Sequence, residues 1–220
     1  MYTITIGDKA YSSWSLRGWL LLAGFGLPFE EEAIPMYTEA FDAMQAARAP
    51  MTSVPQITWQ EDGRTIRVWD SAAIAETLAE RHPEAGIWPT DPALRSLARM
   101  FVAQMHSGFG ALRGEAPMNL HREGRPLANP PESLAEDVVR LEALWAWALE
   151  TSGGPWLAGP AFSAADAFFA PVVFRLTGYA LTTPASQLYC DRVAAHPAVA
   201  RWRAEAKADP RRVERYESIA

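Results

Sequence analysis

Cysteine is almost absent from this chain of 220 residues; Cys190 stands alone. A single thiol forms no intrachain disulfide, which fits a reducing compartment. Histidine is scarce as well, with four residues at 82, 106, 121 and 196 whose spacing matches no metal-ligand pattern, so no metal is expected. Positive charge is in deficit: the net charge is -6. That balance argues against nucleic acid or an anionic membrane as the main partner. No apolar run approaches the ~18–20 residues of a membrane-spanning helix. Residues Met1–Ile6 lack the basic and apolar stretches of a signal peptide, so a cytoplasmic location is expected. Repeats and low-complexity tracts are missing too. What is there is 49% hydrophobic and 21% charged, enough core for one large domain or two small ones.

Strand and helix signals alternate first and then separate. Residues 2–6 alternate as a strand, Ser12–Phe25 reads as a helix closed by Gly26, and Phe29–Pro35 reads as a second strand. A weak helix over Glu39–Arg48 precedes a hairpin whose two runs flank Asp62-Gly63, a turn signal. Ser71 caps the helix that follows, Ala72–Arg81. The order β-α-β-α-β-β-α implies helices packed on a small mixed sheet. Three prolines and a glycine over residues 82–92 mark a linker, placed at 83–91. Beyond it strand signals stop, and helices are expected near 92–113, 133–151, 164–178, 185–195 and 197–208. The predicted division is 1–82, an α/β domain, and 92–220, an all-α helical bundle. The polar segment 114–131 is longer than an ordinary loop, so it is either functional or a long connection.

Three places carry candidate chemistry. A hydroxyl at the start of the first helix, in Tyr11-Ser12-Ser13-Trp14-Ser15-Leu16-Arg17, can donate to a bound thiolate and lower its pKa from ~8.5, helped by the helix dipole. Read alone, serines there are caps, and Arg17 is a surface or ion-paired residue. Val54-Pro55 heads a strand where proline cannot donate, which leaves an open edge for an extended ligand if the bond is cis. Asp70-Ser71 sits at a helix N-terminus, where free N–H groups suit a carboxylate and Asp70 suits an ammonium. Together they describe a pocket for a small zwitterionic peptide.

These motifs, in this order, resemble the soluble glutathione transferases over essentially the whole chain. Residues 1–82 resemble their thioredoxin-like domain and residues 92–220 their helical domain. The loop Ser12-Ser13-Trp14-Ser15-Leu16-Arg17 is similar to the Ser-Ser-Cys-Ser-x-Arg loop of the zeta class. Phe162-Ser163-Ala164-Ala165-Asp166 is similar to the family's helix-capping box, and Trp156-Leu157-Ala158-Gly159 before it is also typical. The resemblance implies that Ser12 activates the thiol of glutathione, with Ser13 sharing or replacing it and Ser15 a lesser candidate. It implies that Val54, beside Pro55, pairs through its backbone with the cysteinyl part, that Asp70 and Ser71 hold the γ-glutamyl group, and that Ser163 and Asp166 are structural. A homodimer follows from it too. Trp14 stands where the zeta loop has cysteine, and Thr52-Ser53 stands where that class has Lys-Gln. With no cysteine in the first loop, protein-thiolate exchange chemistry is not expected.

The electrophile should meet the thiol between the domains, along Met105–Arg113 and on to Asn119. His106 and Arg113 are seven residues apart, on one face of a continuous helix, and able to read an anionic co-substrate, with Phe109 beside them. Gly108 and Gly110 would leave room for a ligand. The bland alternative is that these residues pack or face solvent. Three functions follow: a serine-type transferase joining glutathione to a small electrophile, a glutathione-dependent cis–trans isomerase of maleyl-type compounds, or a non-catalytic binding scaffold. A scaffold has no need of the Ser12, Val54-Pro55 and Asp70-Ser71 set.

Overall fold

The computed structural model describes residues 1–219. Strand β1 (Tyr2–Ile6) lies inside the sheet, so that even Thr5 is buried beside Ile4 and Ile6. Helix α1 (Ser13–Ala23) carries the chain to β2 (Phe29–Ala33), which pairs parallel to β1. Helix α2 (Glu39–Ala47) precedes the hairpin β3 (Gln56–Glu61) and β4 (Arg64–Trp69), and α3 (Ser71–Arg81) follows it. The hairpin turns at Asp62 and Gly63, both at positive φ, the conformation such a tight turn requires. The strand order is β2-β1-β3-β4.

Register decides what this sheet can present. Gln56 lies opposite both Thr5 of β1 and Trp69 of β4. The chain therefore leaves β1, enters β3 and leaves β4 at one end of the sheet. Ser12, Val54-Pro55 and Asp70-Ser71 are brought to that end by topology alone. Helix α1 closes onto it at Gly18, where an added Cβ would stand 2.5 Å from Cγ of Pro55. The Val54-Pro55 bond is cis.

A single 3-10 turn at Pro83–Ala85 leads into helices α4 (Pro92–Ser107), α5 (Gly110–Glu115), α6 (Glu132–Ser152), α7 (Ala164–Gly178), α8 (Pro184–Ala195), α9 (Pro197–Ala208) and α10 (Glu214–Glu217). Helix α7 is apolar on nearly every side and almost wholly buried, packed against α1 and α4, so one core runs from the sheet into the helices. Its capping box forms. Asp166 accepts from the Ser163 backbone N–H and hydroxyl, the Leu157 N–H and the Tyr189 hydroxyl, and burial still pushes its carboxyl upward. Cys190 is buried, and burial pushes its thiol up to about 12. Among the described residues no helix is long and apolar enough to cross a membrane.

Three expectations need correction. Helix α1 ends at Ala23 with Gly24 as its cap, short of Gly26. The run expected as one helix over 92–113 is two. Gly108 is extended and Phe109 is left-handed at φ 56, so Gly108 ends α4 and Phe109 opens α5. His106 and Arg113 therefore do not share a helical face. Ser71 does not cap α3. Asp70 does, through Oδ1 and the Ala72 N–H at 2.8 Å, and Ser71 is the first helical residue.

Candidate active site

The first wall of the site is the N-terminus of α1. Ser12 is its N-cap and accepts from the Ser15 N–H at 3.3 Å while its hydroxyl donates to Ser15 Oγ at 2.7 Å. Ser15 Oγ also accepts from the Gly7 N–H and is fully buried, so it braces the loop. Ser13 differs. Its Oγ accepts from Nη2 of Arg175, on α7, at 3.1 Å, and its own proton has no fixed acceptor among the described residues. A hydroxyl whose oxygen accepts from a cation is a stronger donor to an anion.

The second wall is the sheet end. Val54 makes no backbone hydrogen bond among the described residues, which leaves its N–H and C=O available to an extended ligand. Ser71 Oγ is buried without a partner, at the start of α3, where the helix offers its positive end. Asp70 stands beside it at φ 74. Its Oδ2 meets Nε2 of His106 at 2.8 Å. Burial alone would raise the Asp70 carboxyl, but the His106 and Ala72 hydrogen bonds outweigh it and hold the group below its usual range. The structure thus sets His106 on the Asp70 side, where the sequence had it reading the electrophile.

Between these walls lies a cluster of cationic side chains around the start of α1. Trp14 is half-buried, with the Arg17 guanidinium 4.3 Å and that of Arg113 5.0 Å from its ring centroid, and His106 edge-on at 5.1 Å. Arg113 Nη1 donates to the His106 and Gly108 carbonyls, so the two residues meet through the helix break. Arg17 is 1% exposed, also faces Phe168, and keeps Nε and Nη1 without a partner. Burial, then the charges of Arg175 and Arg113, drive its pKa far below the usual arginine value, and Asp70 opposes them. Arg175 donates from Nη1 to the carbonyls of Arg113 and Ala116, and burial lowers its pKa to about 10. Among the described residues none of these three guanidiniums is in a salt bridge with a carboxylate, and a buried cation without one is costly.

Phe109 is not part of this cluster. It is buried against Phe169, with Arg140 across its ring at 4.4 Å, in the groove between α4 and α6 that also holds Met100 and Trp147. The left-handed turn at the helix break sends it there. Arg175 escaped sequence reading, although an arginine within the apolar run Val172-Val173-Phe174-Arg175-Leu176 was the available signal. The terminal Tyr216 and Glu217 also reach this end of the molecule, against Tyr11. Among the described residues no three His, Cys, Asp or Glu side chains gather in a way that could hold a metal ion.

Residues 11–81 match the family model for the glutathione S-transferase N-terminal domain, and residues 96–205 match that for the C-terminal domain. A probable maleylacetoacetate isomerase of Caenorhabditis elegans is 26% identical over 178 residues, 79% of this chain and 78% of that one. A stringent starvation protein A homolog of Haemophilus ducreyi is 25% identical over 157 residues, 71% of this chain and 67% of that one. The crystal structure of maleylacetoacetate isomerase from Anaeromyxobacter dehalogenans, with glutathione in its active site, superposes with a TM-score of 0.69 at 27% identity, over 95% of this chain and 97% of that one.

Proposed function

The chain belongs to the glutathione S-transferase family, and from that premise we propose that it is a serine-type, zeta-like enzyme that adds the thiol of glutathione to a small electrophile bearing a carboxylate. The observation that carries this is Arg17, a fully buried guanidinium with two unpartnered nitrogens beside Arg113 and Arg175. An anionic substrate supplies the missing charge.

In this reading residues 1–82 form the glutathione-binding domain, 83–91 the linker and 92–220 the domain that carries the electrophile site. Val54, ahead of Pro55, pairs by its backbone with the cysteinyl part of glutathione. Asp70 accepts from the γ-glutamyl ammonium, and Ser71 donates to the γ-glutamyl carboxylate. The thiolate lies at the Ser12–Ser13 pair, where two hydroxyls and the α1 dipole favour the anion. Ser13 has a proton without a fixed acceptor among the described residues; Ser12 must first release Ser15. The sulfur attacks the electrophilic carbon held by the arginines, an S–C bond forms, and the displaced electron pair goes to a leaving group or to the conjugated carbonyl. Rate comes from positioning and from stabilising charge.

A second reading is cis–trans isomerisation, in which the sulfur adds to a double bond, the new single bond rotates, and the sulfur leaves. The cluster of Arg17, Arg113 and Arg175 favours it, since a maleyl-type substrate carries more than one carboxylate. Trp14, in the place of the zeta cysteine, is the difference on which the two readings turn.

We further propose a cytoplasmic homodimer. The test of function is a panel of electrophiles, charged and neutral, aryl and maleyl, with purified protein and glutathione. Arg113→Ala should lower kcat/KM for charged electrophiles by one to two powers of ten, ~1.4 kcal/mol per power, and should spare glutathione affinity and neutral electrophiles. Equal losses for both classes would make Arg113 structural. Failure to retain glutathione would remove the reading altogether.

A further inference from the structure

The loop that carries Ser12 and Ser13 is held from the second domain as well as from within. Inside the loop the Asp8 carbonyl accepts from the Tyr11 N–H at 3.2 Å and the Ser12 N–H at 2.8 Å, and Ser15 Oγ accepts from the Gly7 N–H at 2.9 Å. The next two carbonyls turn outward. Ala10 accepts from the Leu120 N–H at 3.1 Å, and Lys9 accepts from the indole Nε1 of Trp202, on α9, at 3.0 Å. Helix α9 takes the Lys9 side chain too. The Lys9 ammonium donates to Glu205, three residues on from Trp202 and on the same face of the helix, and to Glu31 Oε2 of β2 at 2.8 Å. One residue of the loop is thus gripped by both ends, its carbonyl through Trp202 and its ammonium through Glu205.

Packing alone does not call for that indole N–H. Trp202 is fully buried, and its ring meets Trp19 edge-on, centroids 5.3 Å apart at 62°, with the Lys9 ammonium 5.2 Å from its own centroid. A large aromatic ring without the N–H would fill the same space. Trp19 is equally buried in the same cluster, but its Nε1 donates at 2.8 Å to Glu31 Oε2, a side chain of β2, instead of to the loop. The two indoles differ in what their N–H groups hold. Lys9 stands three residues before Ser12 and four before Ser13, whose Oγ accepts from Arg175 of α7 at 3.1 Å. That bond crosses the domains, and a displacement of ~0.5 Å takes a hydrogen bond of such length out of its useful range. The bonds from Trp202 and Leu120 fix the loop against the second domain, and of the two only that of Trp202 is made by a side chain.

We propose that Trp202 is a positioning residue for the thiol-activating hydroxyls: through the Lys9 carbonyl, and with Glu205 on the Lys9 ammonium, it holds Ser12 and Ser13 in register with Arg175. This rests on the reading that gives the glutathione thiol to the Ser12–Ser13 pair. Preorganised donors stabilise an anion only where their geometry is kept, and a misplacement of ~1 Å can cost about a hundredfold in rate. The glutamyl corner at Asp70-Ser71 and the Val54 backbone belong to the first domain and do not depend on this grip. Its loss is therefore expected in the acidity of the bound thiol and in kcat, and not in the capture of glutathione.

The test titrates thiolate absorbance of glutathione bound to the protein, with kcat and the KM for glutathione alongside. Trp202→Phe keeps a ring and deletes the N–H. It should raise the pKa of the bound thiol by about half a unit and lower kcat by roughly threefold to tenfold near neutral pH, with KM for glutathione within about twofold of wild type. Trp19→Phe deletes an indole of the same burial and should leave the thiol pKa where it stands, whatever it does to the melting temperature. Glu205→Gln should raise the thiol pKa by less than Trp202→Phe does, although loss of a carboxylate would by charge alone lower it. An unmoved thiol pKa in Trp202→Phe overturns the proposal, as do equal rises in Trp202→Phe and Trp19→Phe. If Trp202→Phe does not fold, a thiol pKa that stays or falls in Glu205→Gln overturns it. A wild-type protein that leaves the thiol of bound glutathione at its free value overturns the Ser12–Ser13 reading and this proposal with it, whereas a lowered wild-type value that Trp202→Phe does not move overturns only this one.

Discussion

Arg175 donates from Nη2 to Oγ of Ser13 at 3.1 Å, across 162 residues of sequence. The bond joins the most buried helix of the second domain to the first turn of α1, so under the proposed reading the acidity of a bound thiol would depend on both domains. Arg175→Ala should raise the pKa of bound glutathione and strand the carbonyls of Arg113 and Ala116, destabilising the fold by about 2–3 kcal/mol. Ser13→Ala should raise the thiol pKa by about one unit or ~1.4 kcal/mol while stranding one Arg175 N–H in place of two carbonyls, a smaller loss of stability. Thiolate absorbance titrated in the complex, with denaturant melts alongside, separates the two. A shift in Ser12→Ala and none in Ser13→Ala would give the thiol to Ser12.

Asp70 and His106 pair at the corner that the proposed reading gives to the γ-glutamyl group. Asp70→Ala removes the acceptor for the glutathione ammonium and should weaken binding by ~1.5–3 kcal/mol. The pH dependence has a definite sign. The carboxyl is held below its usual range, so the charged form persists into acid and binding fails only as pH falls through that lowered value. His106→Ala removes a hydrogen bond that holds it down. The acid limb of glutathione binding should then move to higher pH, which calorimetry across acidic buffers will show. An acid limb that stays put would leave His106 without this role.

Under the proposed reading Arg17 would trade stability for activity. A buried cation with unpartnered nitrogens and two cationic neighbours strains the folded state. Arg17→Met fills the same space without charge and should stabilise the protein by on the order of 1–2 kcal/mol, a rise in Tm of about 2–8 °C. The same variant should lose turnover of carboxylate-bearing electrophiles more than of neutral ones. A destabilised Arg17→Met with unchanged selectivity would make Arg17 a packing residue.

Assembly is open to a direct measurement. Met100 and Trp147 are exposed on the α4–α6 groove, and exposed apolar patches mark interaction surfaces. Light scattering at micromolar concentration should give twice the chain's 24.3 kDa. Trp147→Glu should halve the mass. A wild-type mass of one chain would end the dimer assignment.

The sequence by itself determined most of the elements. Period-two and period-3.6 patterns act over a few residues, so β1, α3 and α7, the Asp62-Gly63 turn and the Ser163–Asp166 box were legible from local physics. Val54-Pro55 and Asp70-Ser71 announced themselves through backbone properties of proline and helix caps. Only tertiary structure decided what met what. The opposition of Gln56 with Thr5 and Trp69 gathers three loops at one end of the sheet. A left-handed residue at Phe109 breaks a helix that periodicity had joined, sends Phe109 into the α4–α6 groove and leaves His106 on Asp70. Arg17, Arg113 and Arg175 lie up to 158 residues apart in sequence and meet at the start of α1, the first two on Trp14 and the third on Ser13, because α1 packs on α7 and α5 follows α4. A cation's meaning depends on how much water and which charges surround it, and burial is a property of the packed chain that no local pattern encodes.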